Sequence, residues 1–114
     1  MRQIKIKYWN KKLKEMSEPM GIALVWETLC ELWGIFEWHD VVKLQWTGLT
    51  DQGGTEIFEG DRLLVDKTEY IVYFDLGCFL CRMAEYPENR VELMQIYKIS
   101  EVIGDIFNNQ ELLK

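Results

Sequence analysis

The sequence predicts a mainly β protein, a β-rich α+β fold in which an antiparallel meander forms a small, partly open, SH3-like barrel, with one amphipathic helix before the central strands. Three observations predict it. From Val41 onward apolar and polar residues alternate with period two in short runs. Turns of two to four residues separate those runs, and one earlier stretch keeps the 3.6-residue period of a helix. Turns that short leave no room for the crossovers of a parallel sheet, so neighbouring strands must run antiparallel, as an open sheet or a closing barrel. A chain of 114 residues supports one core, and no linker, repeat or low-complexity tract divides it, so it reads as a single domain over residues 1–114.

Ile4, Ile6 and Tyr8 alternate with Lys5 and Lys7, the pattern of a strand with one buried face and one cationic face in solvent. Asn10-Lys11-Lys12 follows as a turn. Ser17-Glu18-Pro19 is a helix-start signal. Beyond it Ile22, Val25, Trp26, Leu29, Trp33 and Phe36 share one helical face, opposite Glu27, Thr28, Glu31 and Gly34. Leu24, Ile35 and Trp38 interrupt the polar face, so residues 20–38 also admit a pair of strands, and either reading calls for burial on more than one side. The chain holds five tryptophans, several near this segment, and a subunit interface would hide such aromatic surface.

Val42, Leu44 and Trp46 then alternate with Lys43, Gln45 and Thr47, and Asp51-Gln52-Gly53-Gly54 permits the positive φ of a hairpin turn. Ile57 and Phe58 form the return side, and Glu59-Gly60-Asp61 turns the chain again. Leu63 and Val65 alternate with Arg62, Leu64 and Asp66, and Asp66-Lys67-Thr68-Glu69 is the next turn. Tyr70 to Phe74 is β-branched and aromatic, Asp75-Leu76-Gly77 breaks it, and Cys78 to Met83 is the following strand. Pro87-Glu88-Asn89 ends that run, and residues 91–98 have no decisive period. Glu101 to Phe107 reads as a strand with a bulge or close approach at Gly104, and Gln110 to Leu113 as one helical turn at most.

The formal net charge of −6 conceals an asymmetry. Residues 1–16 hold six basic side chains and one acidic, a balance of +5, which leaves −11 for the remainder. Two readings follow for Lys5, Lys7, Lys11, Lys12 and Lys14. They are candidate phosphate contacts, gaining affinity by counterion release. Alternatively they are candidate subunit contacts, complementing an acidic surface of the same chain or a neighbour. A pI near 4.8 favours the second. The longest apolar stretch, Met20 to Trp26, is seven residues, too short to span a membrane, and the basic start lacks the apolar core of a signal peptide, so a cytoplasmic protein is expected.

Elimination narrows the chemistry. A single histidine, His39, rules out two-histidine metal motifs and relays within one chain. Cys78 and Cys81 form a C-x-x-C spacing, but in a strand they point to opposite faces. Cys30 and His39 could complete a zinc site with them only outside a strand, so the three cysteines read as reduced core thiols. Neither a nucleophile beside a base nor a phosphate-binding loop appears, and Glu56, Glu59 and Asp61 read as structural: Gly60 permits the bend and Asp61 accepts backbone N–H bonds at the start of the next strand. No catalytic residue, cofactor or metal is assigned.

Gln45-Trp46-Thr47-Gly48-Leu49, then Asp51, then Glu56-Ile57-Phe58-Glu59-Gly60-Asp61 resembles the central signature of the YopX family, small proteins of bacteriophages and prophages. Ile4 to Asn10 with Lys14 and Met16 resembles its opening, and Glu101 to Phe107, containing Gly104, with Glu111-Leu112-Leu113 resembles its ending. The chain departs from that pattern at Trp46 and Phe58, where the family commonly has tyrosine, and at Ile6, where it has phenylalanine. Asn10 and Gln110 stand where it has aspartate and proline, and residues 17–40 match no family pattern. The resemblance implies a mostly β, oligomeric protein of phage origin with no established activity. Gln45, Thr47, Gly48, Asp51, Glu56, Glu59, Gly60, Asp61 and Gly104 are then read as a structural family signature that could double as a binding surface.

Two function classes follow. The first is a non-enzymatic phage or prophage accessory protein, in the cytoplasm of the bacterial host, that forms a homo-oligomer and binds a host or phage protein. The alternative is a nucleic-acid-binding small β-barrel whose basic N-terminal strip grips phosphates while Tyr8 or Trp9 stacks on a base.

Overall fold

A computed structural model describes residues 4–21, 25–34 and 36–108. Backbone contacts divide the chain into two compact units, with the boundary between Trp46 and Thr47.

In the first unit β1 (Ile6–Asn10) lies between β2 (Glu15–Met16) and β3 (Val41–Thr50), all antiparallel. The register runs from Ile6 opposite Gln45 to Asn10 opposite Val41. The turn from β1 to β2 forms because the Asn10 side-chain oxygen accepts the N–H groups of Lys12 and Leu13 at 3.0 and 2.9 Å, while Lys14 takes a left-handed φ of 57°.

Helix α1 spans Val25–Trp33 and buries Leu29 and Trp33. They pack with Tyr8, against Ile6, Met20, Val25, Phe36 and Val41. Residues 25–33 are therefore helical rather than a pair of strands, and Ile22, Leu24 and Ile35 lie outside the described residues. Gly34 ends the helix at φ 70°, its N–H bonded to the Cys30 carbonyl at 2.8 Å. The Trp33 indole donates to Glu15 at 3.1 Å, which ties the last turn of the helix to β2.

Two expectations need correction here. Ser17-Glu18-Pro19 does not start the helix: the Ser17 hydroxyl accepts the Tyr8 N–H at 3.0 Å, and Met20 exchanges both backbone bonds with Ile6, so this segment continues the edge of the sheet. A serine oxygen satisfies a strand N–H as well as a helix N–H, and spacing alone does not tell them apart. Nor does β1 show bare cations to solvent. Trp9, on the face that Lys5 and Lys7 share, is as buried as Tyr8, both lysines are half-buried, and the Lys5 ammonium lies 4.7 Å from the centre of the Trp46 ring. A lysine stem covers apolar surface while its charge stays hydrated, so alternation reads the charge and misses the stem.

The second unit begins in the latter half of β3, which lies beside β4 (Glu56–Phe58). Then follow β5 (Asp61–Val65), β6 (Thr68–Asp75), β7 (Cys78–Met83), β8 (Arg90–Glu92), α2 (Leu93–Ile96), a 3-10 turn at Tyr97–Ile99 and β9 (Glu101–Asp105). The strands form an antiparallel sheet in the order β8-β7-β6-β5-β9, so four consecutive strands meander and the last returns beside the first. This is the antiparallel β-rich architecture that the period-two runs predict. Two turns are tighter than expected. Val65 faces Thr68 directly, which puts Thr68 and Glu69 in the strand, and Leu76-Gly77 closes the next hairpin with both residues at positive φ.

Leu63, Val72 and Cys81 occupy one face of this sheet and pack with Ile57 and Leu93 into the core. Of the three expected core thiols only Cys81 is buried: Cys78 is exposed, because the two lie on opposite faces of the strand, Cys30 is half-buried, and burial pushes the Cys81 thiol up to about 12. The strand's expected bulge is real: Arg62 faces Gly104 while Leu63 faces Val102, so Ile103 is the extra residue.

The opposite face carries a charge pair that sequence spacing did not suggest. Arg62, 6% exposed, donates through Nε and Nη2 to the two oxygens of Glu69 at 2.8 and 2.7 Å across the β5–β6 hairpin. Hydrogen bonds from Arg62 hold the Glu69 carboxyl below its ordinary range despite partial burial. A depressed carboxylate stabilises the fold above its unfolded pKa and stops doing so as pH falls through its folded pKa. Glu69→Gln should therefore cost about 2 kcal/mol near neutral pH, part of the usual penalty for orphaning a buried charge. It should also flatten the loss of stability below about pH 4. Denaturant titrations of both proteins between neutral and acid pH check this; equal stabilities at all pH values would show that the pair contributes nothing.

Candidate functional site

Thr47, Asp51, Gly60, Asp61 and Gly104 of the signature lie at the turns and junctions of the second unit. Thr47, expected on the polar side of β3, is buried, because its hydroxyl donates to the Ile57 carbonyl at 2.8 Å and accepts the Leu49 N–H at 3.2 Å. Past Trp46 the covered positions of β3 shift to Thr47 and Leu49, and Gly48 between them takes a φ of 86°. Gln45 is exposed on β3, opposite Ile6, and Glu56 and Glu59 are half-buried.

Asp51 and Asp61 are acceptors. One oxygen of Asp51 takes the N–H groups of Gly53 and Thr55 at 2.9 and 2.8 Å, and the other takes that of Val102 at 2.8 Å. Burial would raise this carboxyl, but the backbone donors outweigh it and hold it below its ordinary range. Asp61 accepts the N–H of Phe58 at 2.7 Å, reaching back across the turn. Gly60, buried at φ 83°, donates to Val72 and accepts from Ile106 at 2.8 and 2.9 Å, which joins β6 and the chain beyond β9 to this turn. Gly104 sits at the bulge of β9.

Among the described residues no group of three or more histidine, cysteine or acidic side chains is placed to hold a metal ion. His39 lies on an exposed 3-10 turn, Trp38–Asp40, with its two ring nitrogens 3.0 Å from Glu37 and 3.4 Å from Asp40. No described helix is long and apolar enough to cross a membrane.

The first unit supplies the surface with the clearest capacity to bind. Trp26 and Trp38 are 48% and 43% exposed, yet their rings lie 5.6 Å apart. Each also packs on Phe36, at 5.0 and 5.3 Å. The helix period predicted Trp26 as a core residue; it borders the buried stripe of Leu29 and Trp33 instead. Lys11, Lys12 and Lys14 are exposed on the β1–β2 turn, apart in role from the half-buried Lys5 and Lys7. Sequence reasoning missed the Arg62–Glu69 pair, although the two-residue turn between Val65 and Thr68 would have placed them diagonally across a hairpin.

Replacing Asp51 tests the structural role of the signature. Asp51→Asn keeps the size but turns an amide N–H toward one of the backbone donors, so stability should fall by about 2 kcal/mol, the penalty for unmade buried hydrogen bonds. Chemical denaturation reads the loss, and hydrogen exchange should show it at the Gly53, Thr55 and Val102 amides first.

The family profile described as YopX protein matches residues 3–114. The crystal structure of protein EF1440 from Enterococcus faecalis is similar in fold, with a TM-score of 0.62 and 21% sequence identity over 97% of this chain and 98% of that one. No curated protein matches the sequence. The central block that runs from Gln45 to Asp61 thus lies inside a match spanning nearly all of the sequence, and the chain belongs to the YopX family.

Proposed function

We propose that this YopX-family chain is a non-enzymatic accessory protein of phage or prophage origin, acting in the bacterial cytoplasm, that assembles with itself and binds a protein partner. The aromatic cluster of the exposed Trp26 and Trp38 with the half-buried Phe36 carries the reading. Ordered aromatic surface in water is unfavourable for an isolated chain and is recovered on association, and tryptophan is the side chain most often found at the energetic centre of an interface. The non-enzymatic part rests on the sequence: with one histidine and no nucleophile beside a base, no acid–base pair or triad can be named.

Sedimentation velocity tests it. The wild-type chain should sediment as an oligomer, and Trp26→Ser with Trp38→Ser should weaken association by about 30-fold per tryptophan without altering the circular dichroism. A wild-type chain that stays monomeric at its highest soluble concentration would overturn self-assembly.

The exposed lysines of the β1–β2 turn favour a second reading, nucleic-acid binding. Tyr8 and Trp9 are 3% and 7% exposed and cannot stack on a base, so any contact reduces to phosphates gripped by Lys11, Lys12 and Lys14. Anisotropy of labelled DNA should then show affinity falling with salt at a logarithmic slope of about 2.7, three phosphates neutralised. No binding at low salt removes this reading.

A further inference from the structure

We propose that the aromatic patch of Trp26, Phe36 and Trp38 is covered by a second copy of this chain, which lays the tip of its β1–β2 hairpin, residues 11–14, on it. The proposal rests on the self-assembly reading and adds which two surfaces meet. The tip is a knob of mixed character: Leu13 is 48% exposed between the exposed Lys11, Lys12 and Lys14. Its shape is set in advance by the two N–H bonds to Asn10 and by the left-handed Lys14, so little order remains to be imposed on binding. An exposed leucine at the tip of a turn is unfavourable in an isolated chain and is covered on association.

The patch has the complementary character. Its aromatic rings offer apolar area for Leu13 and ring faces for ammonium groups. Glu27 and Glu37, both exposed, adjoin Trp26 and the Phe36–Trp38 pair in the chain, and Asp40 follows on the same 3-10 turn. A basic apolar knob thus meets an aromatic surface whose chain neighbours are acidic, Glu37 and Asp40 flanking the His39 ring at 3.0 and 3.4 Å, and opposite charge speeds encounter and selects register.

Position favours a two-fold pairing. The Lys11 N–H donates to the Asp40 carbonyl at 2.7 Å, and the Tyr8 and Trp38 rings lie 6.2 Å apart, so tip and patch adjoin within one unit. A two-fold axis beside them places each tip on the partner's patch at the same time, a closed and self-complementary interface.

Charge exchange tests this. One variant carries Lys11→Glu, Lys12→Glu and Lys14→Glu; the other carries Glu27→Lys, Glu37→Lys and Asp40→Lys. Each alone should associate at least about tenfold more weakly than wild type by sedimentation, with its circular dichroism retained. Mixed at equal amounts they should recover association, because each tip then faces a patch of opposite sign, and a chain carrying both sets should associate alone. Oligomers unaffected by either variant would overturn this interface and leave the self-assembly reading standing. Failure of the mixture and of the doubly exchanged chain would do the same. A monomeric wild type would overturn both, and binding of the patch to an unrelated basic peptide without self-association would assign it to a foreign partner.

Discussion

The carboxylate of Asp51 holds together parts of the second unit that lie far apart in the chain. It sits at the end of β3 and satisfies two N–H groups of the turn into β4, and through its other oxygen one in β9, 51 residues further on. A backbone bond from Gln52 to Ser100 reinforces the same junction. No neutral side chain could take its place, because three donors converging on one group need an acceptor with two oxygens and no proton of its own. The last strand is thereby fixed beside β5, and the core of Ile57, Leu63, Val72, Cys81 and Leu93 is closed on that side.

Around that junction the turns obey a local logic. Gly60 and Gly48 take backbone angles that a side chain would resist, and Asp61 and Thr47 occupy the acceptors and donors that those bends leave open. Chemistry-bearing residue types are thus engaged in holding backbone. Thr47, Asp51, Gly60 and Asp61 of the signature are engaged at the turns around this junction.

The first unit solves its burial differently. Only one stripe of α1 reaches the sheet, and Leu29 and Trp33 fill it. Trp26, at the border of that stripe, gains ring contacts with Phe36 and Trp38 while keeping about half of its surface in water. A nine-residue helix on three strands has too little interior for so many rings. The same unit bears the positive turn, so apolar surplus and charge surplus lie side by side.

The sequence alone determined the antiparallel run of β5, β6 and β7, the hairpin at residues 51–54, the bulge near Gly104, the opposite facing of Cys78 and Cys81, and the family, whereas β8 and α2 fall where the sequence has no decisive period. Each follows from local rules: period two, positive-φ residues and the geometry of one strand. The candidate binding surface was legible only in part, as an excess of tryptophan near residues 20–38 and a basic strip at the start. Tertiary structure alone decided that Ser17 caps a strand edge, that Trp9 and the stems of Lys5 and Lys7 are covered, and that Arg62 meets Glu69. It also decided that Trp26 and Trp38 meet in the open while Tyr8 does not. The physical reason is common to all of these: a side chain's exposure and partners depend on which elements pack against its face, and periodicity along one strand or helix carries no information about that neighbour.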